Sequence, residues 1–298
     1  MRTELNHELK IYTTFQIGGS SPVVCFPENE NELVEALKKY PDAIVFGNCS
    51  DVLISSKGIE FPVIITTGMK DFKIDGTKIT ADCGVKAPKL SNVVSDESLS
   101  GFEFMIGIPG SIGGMVCMNA SAHGQSVSDY FISCKVYDRK NKKIKILTKK
   151  EMDFSYRNSI VSKEQYVVLS VEFDLKKSEK DEIKGLMDRN LEFRRQKQPS
   201  LALPNAGSVF KNPENDSAGR LLEKAGVKSC IIGGAKVWEN HANFIVNIGQ
   251  ATSSDVLNLM KKMKDEVKSK YTIELVPEIK YIGKADEEES KIWKEIIN

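Results

Sequence analysis

Two hydrophobic rhythms alternate along this 298-residue chain, one with the period of a helix and one with the period of a strand. Leu33, Ala36 and Leu37 fall on one face of a charged stretch, so the spacing predicts a helix over 30–40. Short apolar runs predict strands over 43–46, 62–67 and 78–85, and Leu90, Val93 and Val94 mark a short helix after the third. From 135 to 175 the pattern is mostly β. Within it Lys143-Ile144-Lys145-Ile146-Leu147 alternates as a half-exposed strand does, and 166–175 reads as a longer, more buried strand. Ile183, Met187 and Leu191 recur at helical spacing over 181–196, which predicts a charged helix bridging to a second domain. Pro199 and Pro204 mark its end. Beyond it the pattern predicts a helix over 218–225 closed by Gly226 and strands over 236–239 and 244–248. A helix over 253–270 turns Val256, Met260, Met263 and Val267 inward, and a final strand covers 272–282. The tail over 286–298 is acidic, then apolar at Ile292, Trp293, Ile296 and Ile297, which predicts an added helix laid on the body.

A chain of this length accommodates roughly two domains of ~100–200 residues. Lys plus Arg number 42 and Asp plus Glu 41, a balance that argues against a nucleic-acid or membrane-surface binder. Cys25, Cys49, Cys83, Cys117, Cys134 and Cys230 are dispersed, with no C-x-x-C pair, and there are three histidines. Reduced thiols and no metal site are therefore expected. Residues 1–7 hold no apolar core, and no run approaches the ~20 apolar residues of a membrane span. A soluble, cytoplasmic protein is expected.

Two stretches place glycine between strand-like and helix-like segments. One is Gly47-Asn48-Cys49-Ser50-Asp51. The other is Gly107-Ile108-Pro109-Gly110-Ser111-Ile112-Gly113-Gly114, followed by Met118-Asn119-Ala120. Turns through glycine or Asn at positive φ can aim successive backbone N–H groups at an anion such as a diphosphate. Either stretch also reads as an ordinary turn, and neither is a Rossmann or Walker loop. Catalytic candidates are Arg157 in Tyr156-Arg157, Ser208 in Ala206-Gly207-Ser208-Val209-Phe210-Lys211-Asn212-Pro213, and the carboxylates of Glu274-Leu275-Val276-Pro277-Glu278. On residue type alone these equally suit a salt bridge, a turn and a solvated strand. No G-x-S-x-G elbow supports a hydrolase triad.

At these motifs the chain resembles the UDP-N-acetylenolpyruvoylglucosamine reductase family. The resemblance runs from Thr13-Thr14-Phe15-Gln16-Ile17-Gly18-Gly19 to Pro277-Glu278-Ile279-Lys280-Tyr281-Ile282-Gly283, through the Gly107 loop, the Tyr156-Arg157 pair, the Ser208 motif and His241-Ala242-Asn243-Phe244-Ile245-Val246-Asn247. It implies an α+β fold of the shorter family type, without a tyrosine-bearing insertion. An FAD-binding unit over 1–180, similar to the vanillyl-alcohol oxidase superfamily, would comprise α+β subdomains at about 1–68 and 69–180. A substrate-binding α+β domain would span 181–284, with an extra helix at 285–298. The implied reaction is NADPH-driven, FAD-dependent reduction of UDP-N-acetylglucosamine enolpyruvate to UDP-N-acetylmuramate for peptidoglycan, by a monomer.

The resemblance implies that Gly47, Asn48, Cys49, Ser50, Asp51, Gly107, Pro109, Gly110, Ser111, Gly113, Gly114 and Asn119 hold FAD. Arg157 would clamp the substrate carboxylate, Ser208 would give the final proton, and Glu278 would stabilise the enolate, in protonated form if it is to donate a hydrogen bond. Asn212 and Arg195 would bind substrate, with Arg194 and Lys197 as further diphosphate candidates. The chain departs from the family pattern at its GGGSN-like turn, here Gly47-Asn48-Cys49-Ser50-Asp51, and has Trp238 where serine is common. Two other readings use the same residues: another flavin oxidoreductase of this fold, and a non-catalytic UDP-sugar or flavin-binding protein.

Overall fold

The computed structural model describes residues 1–163, 165–283 and 287–298. Residues 284–286, at the start of the expected tail, lie outside the described residues. In chain order the helices are α1 (Glu30–Lys39), α2 (Ala87–Asp96), α3 (Ile112–Cys117), α4 (Val127–Tyr130) and α5 (Ile160–Lys163). They continue as α6 (Lys180–Lys197), α7 (Ala218–Ala225), α8 (Ser253–Tyr271) and α9 (Glu287–Ile297). The strands begin with β1 (Arg2–Glu8), β2 (Ser20–Phe26), β3 (Ile44–Phe46), β4 (Val52–Ile54), β5 (Val63–Ile65), β6 (Phe72–Asp75) and β7 (Lys78–Asp82). Short strands β8 (Leu99–Ser100), β9 (Ser121–Ala122) and β10 (Gln125–Ser126) lead to β11 (Phe131–Asp138), β12 (Lys143–Thr148), β13 (Tyr166–Asp174) and β14 (Lys176–Lys177). The last are β15 (Asn205–Ser208), β16 (Ile231–Ile232), β17 (Ala235–Val237), β18 (Phe244–Asn247) and β19 (Lys280–Ile282).

Contacts group the chain into two units. The first comprises Met1–Glu4, Val23–Asn48 and Phe61–Arg194. Its parallel strands lie in the order β2-β5-β3, and α1 carries the chain from β2 across to β3. Asn29 Oδ1 accepts the Glu32 amide at 3.0 Å and starts α1, whose Leu33, Ala36 and Leu37 are buried. An antiparallel sheet of order β12-β11-β13-β7-β6 forms the rest of the frame. One apolar core joins them, running from Cys25 and Leu33 to Phe173 and Leu175.

The second unit comprises Leu5–Pro22, Cys49–Glu60 and Arg195–Asn298. Its antiparallel sheet has the order β15-β18-β17-β16. Ser217 caps α7, and Gly226 closes it at φ +83°. Thr252 and Asp255 form a capping box on α8, whose Val256, Met260, Met263 and Val267 are fully buried, as the periodicity predicts. Phe15, Ile17 and Leu53 share this core with α7, α8 and α9. By contact, Leu5–Pro22 and Cys49–Glu60 thus group with Arg195–Asn298. Of the two N-terminal segments in this unit, the second carries β4, which pairs with β19, and the first bonds Asn205 through Thr14 and Asn247 through Phe15.

The final strand expected over 272–282 is corrected. Thr272 takes a left-handed φ of 57° that ends α8, and regular pairing starts only at Lys280. Pro277, which has no N–H to give, leaves a single bridge, to Phe210. Between β12 and β13 the expected β stretch is broken by turns and α5.

Gly84 shows how tightly the first unit is built. A Cβ there would stand 1.8 Å from the Thr66 carbonyl oxygen and 2.6 Å from that of Met69, both backbone atoms. Gly84→Ala is expected to destabilise the protein by about 3 kcal/mol, the upper end for overpacking, read as a lower urea midpoint.

Candidate active site

Ser208 ends β15 just after an irregularity. Asn205 pairs with Val246 and Ser208 with Phe244, so β15 has one residue more than β18 across that interval. Such a bulge re-aims the side chains that follow it. Asn205 Oδ1 accepts the Gly207 amide at 3.0 Å and steadies the bulge. Past Ser208 the chain turns to Asn243, which is 3 % exposed. Asn243 Oδ1 accepts Phe210 N at 2.9 Å, its Nδ2 donates to Phe210 O at 2.8 Å, and its backbone carbonyl accepts Val209 N at 2.9 Å.

The same stretch seats Glu278. Phe210 bridges Pro277, Glu278 N donates to Val209 O at 2.8 Å, and Lys211 N donates to Val276 O at 2.8 Å. Glu278 thus stands opposite Val209, next to Ser208 in register, and both Ser208 and Glu278 are half-buried. Two residues on, β19 pairs in parallel with β4, and Lys280 N donates to Asp51 O at 3.2 Å. That contact brings in the turn at Cys49, Ser50 and Asp51. Cys49 has φ +47° and is buried, which pushes its thiol pKa up to about 12. Thr14 ties the turn to β15: its N–H donates to Cys49 O at 3.3 Å, and its hydroxyl donates to Asn205 O at 2.7 Å.

Arg157 belongs to the first unit. Ser155 and Asn158 pair their backbones, leaving Tyr156 and Arg157 at the tip of a tight turn with Arg157 at φ +53°. A non-glycine residue held there marks backbone strain of the kind that collects at functional positions. Its guanidinium donates to Ser121 Oγ at 2.7 Å and lies 5.0 Å from the Tyr156 ring centroid. Asn119, also at positive φ, joins this turn to the end of α3, donating to Ser155 O at 3.1 Å and accepting Ser128 N at 3.1 Å.

The glycine stretch from Gly107 to Gly114 is strapped to the chain after β7. Ala87 N donates to Gly110 O at 2.9 Å, Ile112 N to Val85 O at 2.9 Å and Gly113 N to Cys83 O at 2.8 Å. Asn48 Nδ2 donates to Pro109 O at 2.7 Å, which brings Gly47 and Asn48 against this loop. Ser111 Oγ is buried with no hydrogen-bond partner among the described residues, and a Cβ on Gly47 would fall 2.0 Å from it.

The remaining candidates are dispersed. Asn212 Oδ1 accepts Ala218 N at 3.0 Å, at the first turn of α7. Arg195 and Lys197 are exposed on α6. Arg194 is half-buried, its pKa lowered by burial, and its Cδ lies 3.0 Å from where a Cβ on Gly107 would stand. Among the described residues no group of three His, Cys, Asp or Glu side chains could hold a metal ion, and no helix is long and apolar enough to cross a membrane. Sequence reasoning assigned no role to Thr14, Ser121 or Asn243. Asn243 lies inside the His241-to-Asn247 motif, but its partner Phe210 is distant in sequence. Asn243→Ala would strand the Phe210 amide, and an expected loss of about 2–3 kcal/mol is measurable by urea denaturation.

Comparison with known proteins fits this geometry. The model of the FAD binding domain matches residues 21–146, and that of the UDP-N-acetylenolpyruvoylglucosamine reductase C-terminal domain matches residues 198–282. The reductase of Caldicellulosiruptor bescii is 42% identical over 285 residues, covering 93% of this chain and 90% of its own. That of Caldanaerobacter subterraneus subsp. tengcongensis is 41% identical, covering 94% and 93%. The crystal structure of the Thermus caldophilus enzyme superposes with a TM-score of 0.82 at 31% identity, covering 94% of this chain and 98% of that one. Pairing a flavin-binding domain with this C-terminal domain, the chain belongs to the UDP-N-acetylenolpyruvoylglucosamine reductase family.

Proposed function

We propose that this protein reduces UDP-N-acetylglucosamine enolpyruvate to UDP-N-acetylmuramate, with FAD as its cofactor and NADPH as reductant, in peptidoglycan precursor synthesis. FAD, when bound, supplies the hydride chemistry. The residues of the chain manage charge and the remaining proton. Hydride addition to the enolpyruvyl double bond leaves an enolate beside the substrate carboxylate. Arg157 clamps that carboxylate; the planar guanidinium suits it, and the Tyr156 ring and Ser121 hydroxyl hold the side chain in place. Glu278 in its protonated form stabilises the developing charge, and preorganised donors of this kind are typically worth about 3 kcal/mol. Ser208 then gives its hydroxyl proton to the enolate carbon, completing the product, and a proton from solvent restores the serine hydroxyl. The observation that supports this reading is the Phe210–Pro277 bridge, through which the backbone just after Ser208 pairs with the backbone leading into Glu278 within one unit.

FAD binding is assigned to the turn from Gly47 to Asp51 and to the Gly107–Gly114 loop with Asn119. The fit is supported by the Ser111 hydroxyl, which packs against Gly47, has no hydrogen-bond partner among the described residues and suits a diphosphate oxygen. Asn212 and Arg195 contact the nucleotide sugar. The FAD-binding domain is proposed over 1–180 and the substrate domain over 181–284. All six cysteines are thiols rather than disulfides, in keeping with a reducing cytoplasm, where the protein acts as a monomer.

Anaerobic NADPH should bleach the yellow protein, and the enolpyruvyl nucleotide should restore the colour; a protein that stays yellow with NADPH refutes the reading. Ser208→Ala should keep the bleaching and slow the recovery by about 10²–10⁴-fold, the usual share of a general acid. Loss of both half-reactions together would contradict the proton-donor role. Asn48→Ala removes the bond to Pro109, and FAD affinity should fall about fivefold, corresponding to roughly 1 kcal/mol, by fluorescence titration.

A further inference from the structure

Glu289, near the start of α9, is 1 % exposed. A carboxylate this deep needs donors in place of its lost water. Its Oε1 accepts from Ser253 Oγ at 2.5 Å and Ser254 Oγ at 2.7 Å. Its Oε2 accepts from Ser55 Oγ at 2.9 Å and from the Tyr281 hydroxyl. Burial pushes its pKa up, but the hydroxyls of Ser253, Tyr281, Ser254 and Ser55 together outweigh burial and hold it below the usual glutamate value. Ser253 and Ser254 open α8, so the carboxylate also meets the positive end of that helix. At the far end of α9, the buried Lys264 ammonium donates to the Ile296 carbonyl at 2.8 Å. Both groups join α9 to α8, whereas Glu289 also reaches Ser55 after β4 and Tyr281 within β19.

The pair β4–β19 is only three residues long, and so short a pair is marginal by itself. One end carries Glu278, just before β19, and Asp51, just before β4. The other end carries Ser55, whose N–H donates to Ile282 O at 2.9 Å. Glu289 grips that second end.

We infer that Glu289 is a positioning residue, whose carboxylate locks β19 against β4 and so sets where Glu278, just before β19, stands. The role given to Glu278 rests on the reductase reading. Upstream of Glu278 stands the Phe210–Pro277 bridge, and immediately downstream the chain enters β19. Without the downstream hold the chain after Pro277 can swing, and a displacement of about 1 Å can cost a reaction on the order of 100-fold.

The test compares Glu289→Ala, Glu289→Gln and Lys264→Met in the full chain with FAD bound. Glu289→Ala should speed amide hydrogen exchange over 279–283 at least about tenfold, as local pairing opens. It should slow flavin reoxidation by the enolpyruvyl nucleotide about tenfold while NADPH reduction and the nucleotide KM stay within about twofold, the pattern of a lost transition-state contact. Glu289→Gln, which keeps the shape and one acceptor oxygen, should recover part of both effects. Lys264→Met should lower Tm and leave both readouts unchanged. Unchanged exchange at β19 in Glu289→Ala, or equal slowing of both half-reactions, overturns the proposal. A wild-type protein that never reduces the nucleotide sinks the reductase reading instead, and the exchange measurement still judges the lock. Should Glu289→Ala fail to fold, Glu289→Gln against Lys264→Met decides by the same two readouts.

Discussion

The pairing of the Asn243 amide with the Phe210 peptide is the contact on which the second unit's chemistry depends. Every buried backbone N–H and C=O needs a partner. After the bulge in β15 the neighbouring strand no longer offers one in register, and the Asn243 side chain supplies both the acceptor and the donor. The stretch from Val209 to Lys211 is thereby fixed on one edge. Its other edge is free to receive Val276 and Glu278. A single buried side chain thus converts an irregular strand end into a platform that holds a hydroxyl and a carboxyl from segments far apart in sequence.

What the sequence made legible was local. The helices α1, α7 and α8 carry their own caps and apolar faces, so spacing alone located them within a residue or two at their ends. The strand expected over 272–282 failed because alternation of Glu274, Glu278 and Lys280 says nothing of partners. Thr272 is needed to end α8, Pro277 cannot donate, and the partner of β19 lies more than two hundred residues earlier. The same distance hid the assignment of residues 5–22 and 49–60 to the second unit. At the site, residue types named Arg157, Ser208 and Glu278, and motif resemblance gave them roles. Their supports, Ser121, Asn243 and Thr14, were invisible because a hydrogen bond between distant segments leaves no periodic trace.

Cysteine at position 49 departs from the glycine-rich family turn, and the structure shows what permits it. A left-handed residue other than glycine costs roughly 1–2 kcal/mol. Here the Cys49 carbonyl is held by the Thr14 N–H and hydroxyl, and its side chain is buried. Because burial keeps the thiol protonated, it brings no negative charge to a turn assigned to a diphosphate. At position 49 the departure alters shape and packing without adding charge; the charge that the turn gains is that of Asp51.

The distribution of sulfur has a practical side. Cys25, Cys49, Cys83 and Cys134 are buried, and burial holds the thiols of Cys49, Cys83 and Cys134 far from their reactive form. Cys117 and Cys230 are partly exposed, and one lies in each unit. The natural chain therefore offers one addressable handle on each body. A dye or spin label attached at either position would report on the surroundings of its own unit, with no cysteine added or removed.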